Sequence, residues 1–278
     1  MKKMLLTFAV LVLLTTQSFA YDIWSFDDGS SVSALDAYYM TVNGTTTLDQ
    51  TFYDGQNLDF TLSNGDTFKQ ATVLQSLIFF DVNDQILDTG FNYYIYADNL
   101  TGYVSNATAA GPYEFLFDTS QHLGFYATST NDINAFDVNT ATKVLDLELL
   151  PPSGGESNNY PDDASGNSDV NALVTVETAG EEMFSMDGTY FEDMVAPVIS
   201  FLSTTNTDIS FALYDMNGVV LEADDYDADG NPLVAPGGFY STLTNTGIVY
   251  MSAVPEPSTF LLLGGGLLGL GFYARKRK

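Results

Sequence analysis

Within 278 residues the chain has no cysteine, one histidine, and eight lysines and arginines against 36 aspartates and glutamates, a formal charge of −28 at pH 7. A field of that sign repels phosphate and anionic membrane surfaces, which excludes nucleic-acid binding; one His and no Cys exclude zinc sites of the usual His/Cys kind and cysteine nucleophiles. The 45% apolar and 14% aromatic content is enough to bury a core, and a chain without disulfides depends on one.

At the N-terminus, Lys2-Lys3, an apolar stretch from Met4 to Leu14 and the small-residue pattern Ser18-Phe19-Ala20 read as a signal peptide over residues 1–20, cleaved after Ala20. The mature ectodomain then starts at Tyr21. Six of the eight basic residues lie in the two end segments, which leaves Lys69 and Lys143 against every acid except Glu256, a net charge of about −33 that dissolved cations must screen.

From Tyr21 onward, short runs rich in Phe, Tyr, Thr, Val and Ile alternate with Asn-Gly, Asp-Gly and other turn-forming pairs, the pattern of an all-β chain. Strands are expected at 57–63, 73–82, 91–97, 113–118, 123–128, 143–150 and 208–214. No stretch of comparable length shows a helical period; Val32 to Met40 and Ser185 to Met194 are the short segments that a helix would suit best. The expected fold is a β-sandwich ectodomain, one large sandwich or two small ones. Residues 151–169 contain almost nothing apolar and read as a polar linker or long loop between a β-sandwich domain at 21–150 and a second β unit at 170–253. Phe80 to Asp88 resembles Tyr214 to Glu222, which fits either a duplicated β unit or two Asp-x-Asn turns of the same type.

The densest carboxylate cluster runs from Asp224 to Asn231. In it Asp225, Asp227 and Asp229 take the first, third and fifth places of an EF-hand-like calcium loop, with Gly230 at the turn. Pro236 stands where the bidentate Glu belongs, so the motif is half complete and implies weak calcium binding at most, with Asp224 or Glu222 as further ligands. His122 is the one imidazole and has no serine-elbow motif to work with. Among so many acids a two-carboxylate glycosidase pair is formally open. Trp24 is the sole tryptophan; Tyr94 and Tyr96 share a strand face and fit a packed core better than a sugar platform. No catalytic residue and no cofactor are assigned.

The last 25 residues, 254–278, carry three parts in order: Pro255-Glu256-Pro257, an apolar run from Phe260 to Ala274, and Arg275-Lys276-Arg277-Lys278. The run has about 15 residues where a span needs roughly 17–25, and Ser258 and Thr259 extend it toward a transmembrane helix. The four cations act as a membrane stop that stays in the cytoplasm, leaving the rest of the chain on the far side. This tail resembles the PEP-CTERM sorting signal of Gram-negative bacteria. The resemblance implies processing by an exosortase, a membrane-embedded transpeptidase-like enzyme, and delivery to the cell surface or an extracellular polysaccharide matrix. Together these features give the expected function: an exported surface or matrix protein, structural or adhesive, polysaccharide-associated and not an enzyme. A glycan-acting hydrolase and a calcium-dependent binding module are the alternatives.

Overall fold

The computed structural model describes residues 24–26, 35–51, 62–87, 91–107, 112–157, 166–194, 198–215, 217–226, 232–233 and 236–253. The signal peptide with its Ala20 cleavage point and the whole 254–278 tail lie outside the described residues. In chain order the strands are β1 (Trp24–Phe26), β2 (Leu35–Ala37), β3 (Tyr39–Thr51), β4 (Thr67–Phe80), β5 (Ile86–Leu87), β6 (Asn92–Asn106), β7 (Tyr113–Phe117) and β8 (His122–Thr128). They continue with β9 (Thr142–Ser157), β10 (Gly166–Val176), β11 (Phe184–Met186), β12 (Thr189–Tyr190), β13 (Val198–Asp215) and β14 (Pro236–Ala253). The expected strands overlap β4, β6, β7, β8, β9 and β13. The described part of Val32 to Met40 falls in β2 and the start of β3, and Ser185 to Met194 in β11, β12 and a 3-10 turn; no α-helix occurs among the described residues.

The long strands form one closed ring, each antiparallel to the next in sequence: β3, β4, β6, then β7 continued by β8, then β9, β10, β13 and β14, which returns to β3. This is an eight-stave β-barrel, where the sequence pattern suggested a sandwich. The difference lies in one pairing, β14 with β3, running from Gly238 opposite Thr51 to Val249 opposite Met40. β7 and β8 act as a single stave, since both lie against β6 and β9. The break between them is filled by Gln121, whose side chain accepts from the Thr101 amide (2.6 Å) and donates to the Thr101 carbonyl (2.8 Å).

The ring takes staves from both sides of the 151–169 stretch. Pro151 to Ser157 complete β9 and Gly166 to Asp169 open β10, so Gly154 to Ser157 and Gly166 to Asp169 of that polar stretch are paired backbone. The likeness of 80–88 to 214–222 is turn chemistry. Asp81 accepts from the amides of Asn83 and Gln85, and Asp215 from those of Asn217 and Val219, all within 2.9 Å. Asp84 (φ 59°) and Gly218 (φ 78°) take the same left-handed place, which Gly, Asn and Asp tolerate best.

A four-stranded sheet in the order β12-β11-β1-β2 plugs one end of the barrel. Its Trp24 and Phe184 are fully buried, and their rings pack on each other (6.1 Å) and on Phe79 and Phe125 from the staves (5.7 and 6.2 Å). β14 ends beside this plug, with Ala253 opposite Val198. At the other end, where β3, β6, β9 and β13 finish, a smaller cluster of Leu62, Val104, Tyr113, Leu213 and Phe239 packs. On the outside, the Tyr214 hydroxyl crosses β14 above Gly238 and donates to Asp49 (2.8 Å) or the Gln50 carbonyl (2.8 Å). A Cβ at 238 would stand 2.2 Å from that hydroxyl, so only glycine lets the tyrosine tie β13 to β3. Burial first, and Asp49 after it, push the Tyr214 phenol well above its ordinary value, keeping it a hydrogen-bond donor.

Because Trp24 is the only tryptophan and is fully buried in the plug, its emission reports on that end of the barrel. Phe184→Ala is expected to destabilise the protein by about 3–5 kcal/mol and to red-shift Trp24 emission in the native state. Urea titration followed by fluorescence measures both; an unshifted midpoint would show that the plug contributes nothing to the barrel.

Candidate functional site

The inside of the barrel is nearly full. Apolar side chains fill it toward the plug, and a polar waist crosses it higher up, where Thr46 pairs with Thr72 (2.8 Å), Asn245 donates to Thr46 (2.6 Å) and Ser168 pairs with Thr204 (2.8 Å). Two cavities remain, one under the loop end of about 60 Å³ bounded by Gln50, Phe68, Gln70 and Asn206, and one at the waist of about 30 Å³. A buried water needs about 10–15 Å³ by this measure, whereas ligand sites run to about 300–1,000 Å³. The lumen is therefore sized for a few waters.

The outer surface has the room. A groove of about 700 Å³ runs across the outward faces of β7, β9, β10, β13 and β14, within the range of ligand sites. Its shape comes from β9. Opposite β10, Asp169 faces Gly154 while Asn171 faces Leu150, so β9 carries extra residues there and bulges at Pro151 to Ser153. Asn171 pins the bulge by donating to the Pro152 carbonyl (2.6 Å), and the Ser153 hydroxyl accepts from the Asn171 amide (3.0 Å). The bulge forms a wall, and Gly154 and Gly155, lacking side chains, leave the adjoining floor low.

Two kinds of group line this groove. Phe201 and Tyr250, opposite one another on β13 and β14, supply half-buried rings. They belong to a longer aromatic row across the staves, since Tyr39 lies 5.8 Å from Tyr250 and stacks on Phe80 at 4.7 Å. Glu114, Glu156, Asn167 and Asp169 supply polar groups on exposed positions. Glu114 stands directly opposite Glu156, and Glu156 directly opposite Asn167. The carboxylates of Glu114, Glu156 and Asp169 make no hydrogen bond or ion pair with another described residue.

The residues singled out in the sequence fall elsewhere. Asp225 caps a 3-10 turn, its carboxylate accepting from the Glu222 amide at 2.9 Å; Asp227 and Asp229 lie outside the described residues. No group of three His, Asp or Glu among the described residues is arranged to hold a metal ion. Tyr94 and Tyr96 do share an outer face, but Phe136 covers them, stacked on Tyr94 at 4.5 Å and lying 5.9 Å from Tyr96. His122 is on the barrel's outer surface with Nδ1 2.5 Å from Asp146. Lys143 bonds the other oxygen of Asp146 and reaches Glu177 at 3.1 Å. The groove residues carried no sequence signal, because register alone brings the outward side chains of five staves together.

The PEP-CTERM protein-sorting motif matches residues 253–278. No curated protein and no solved structure matches the chain. The motif marks an exported precursor addressed to an exosortase and destined for the cell surface. No helix among the described residues is long and apolar enough to cross a membrane, and Pro255, Glu256 and Pro257, like Arg275 to Lys278, lie outside them.

Two outcomes follow from these arrangements. Burial works to raise the Asp146 carboxyl, but hydrogen bonds and charge from Lys143 and His122 outweigh it and hold the group below its usual range. A depressed carboxyl adds stability that is complete above its unfolded value of about 3.9 and lost as pH falls through the folded one. Asp146→Asn should thus cost about 1–3 kcal/mol at pH 7 and progressively less below pH ~4, read from thermal melts across pH. Mass spectrometry of the exported protein should find residues 1–20 removed and a new C-terminus at or near Pro255 to Pro257; recovery of the intact tail in cells with an active exosortase would contradict processing at the motif.

Proposed function

We propose that the barrel is a structural or adhesive component of the extracellular matrix that binds polysaccharide on its outer groove and catalyses nothing. The observation that carries this reading is the groove itself, a volume of about 700 Å³ in which the Phe201 and Tyr250 rings lie beside the amides and carboxylates of Asn167, Asp169 and Glu156. Sugar rings have an apolar C–H face and a rim of hydroxyls. The first gains by leaving water against an aromatic ring, and the second needs acceptors and donors of the kind these side chains present. The sorting motif supports the reading so far as it marks an exported protein destined for the cell surface.

One observation favours a second reading, a glycan-acting hydrolase. Glu114 and Glu156 are neighbours on adjacent staves, as a two-carboxylate mechanism requires. Against it, both are exposed, and no wall excludes water from them. The deciding experiment incubates the processed protein with the producer's own extracellular polysaccharide and follows co-sedimentation and reducing ends together. Co-sedimentation with a flat reducing-end trace is expected. Reducing ends that rise with time and vanish in Glu114→Gln or Glu156→Gln would replace the adhesive reading with the hydrolase.

A further inference from the structure

The charge of the groove narrows its ligand, on the footing that the groove is a polysaccharide site. Glu114, Glu156 and Asp169 lie along it without a cation. Like charges directly opposite one another on neighbouring strands destabilise a sheet, and Glu114 opposite Glu156 is such a pair. No cation among the described residues relieves it. Of the two lysines outside the end segments, Lys143 is committed to Asp146 and Glu177, and Lys69 lines a separate outer depression with Asp49 and Asp98. The one imidazole is engaged by Asp146.

An anionic glycan would add to this repulsion, and a neutral one would leave it as it is. A dissolved metal ion has no set of three ligands to hold it among the described residues. A polymer that carries its own cations meets the groove differently, because stacking on Phe201 and Tyr250 holds the chain in place while its charges face the carboxylates. We propose that the groove takes a glycan bearing free amino groups, with sugar rings on Phe201 and Tyr250 and ammonium groups against Glu114, Glu156 and Asp169. Ammonium supplies donors only, which matches carboxylates that have acceptors to spare.

The test compares two oligosaccharides of equal length, β-1,4-linked glucosamine and its fully N-acetylated counterpart, by calorimetric titration of the processed protein at low and high salt. The free-amine oligomer should bind about tenfold more tightly at low salt, and salt should erase the difference. Glu114→Gln with Glu156→Gln should bring its affinity down to that of the acetylated oligomer, and Phe201→Ala should weaken both. Asp187→Asn with Asp193→Asn removes the same charge at the plugged end and should change nothing. Equal affinity for the two oligomers overturns the proposal, as does a loss at the plugged end matching the loss in the groove, which would mean attraction by net charge alone. If neither oligomer binds while the producer's own polysaccharide still co-sediments, the amino-sugar assignment falls and the adhesive reading stands; if no polysaccharide is held at all, both fall.

Discussion

The pairing of β14 with β3 is the constraint on which the molecule rests. A sheet left open there would present two long rows of unpaired amides and carbonyls, templates for association with another chain. Closure satisfies them within the chain and fixes every side chain as inward or outward. It joins residues about 200 positions apart, such as Asn43 and Thr246. Pairings that distant make folding slow, because the chain entropy is lost before the contact is made. For a chain with no cysteine and a large excess of acids, the ring replaces the covalent staples that small exported domains often use.

Closure also sets what the inside can be. Eight strands leave an interior just wide enough for side chains to fill or for one small ligand, and here side chains fill it. The waist is polar, yet its hydroxyls and amides bond one another across staves, as Thr46 does with both Thr72 and Asn245. Buried polar groups are tolerable on that condition and costly otherwise. A lumen so occupied moves recognition to the outer wall, where a bulge in one stave and two glycines in sequence shape a recess of about 700 Å³.

Much of the local structure could be read from the sequence. The Asp-x-Asn turns at Asp81 and Asp215 gave their positions away, because an Asp side chain bonding amides two residues on is a local event. The β-forming runs at 73–82, 91–97 and 143–150, which lie largely in β4, β6 and β9, were visible for the same reason. The barrel was not. β3, β10 and β14 carry threonine, serine and asparagine on both faces, as in Thr45-Thr46-Thr47, so no apolar stripe marks which side is inside. The segment 151–169 read as a linker because its glycines and polar residues look like flexible chain. In the fold Gly154 and Gly155 sit where a Cβ would come within 2.1 and 2.0 Å of the Phe115 and Asn167 carbonyls, and Glu156, Asn167 and Asp169 face outward. The groove was illegible in principle, since Glu114, Glu156, Asp169, Phe201 and Tyr250 are neighbours only through register.

The last residue of β14 is also the first of the sorting motif, so no spacer separates the barrel from its address. Pro255 to Pro257 lie two to four residues beyond Ala253, at most about 7–14 Å of extended chain. Any enzyme cutting there works against the plugged floor and meets its exposed acids, Asp187, Glu192 and Asp193. The plugged end, where β14 stops opposite Val198, is therefore the end of the barrel nearest the sorting motif.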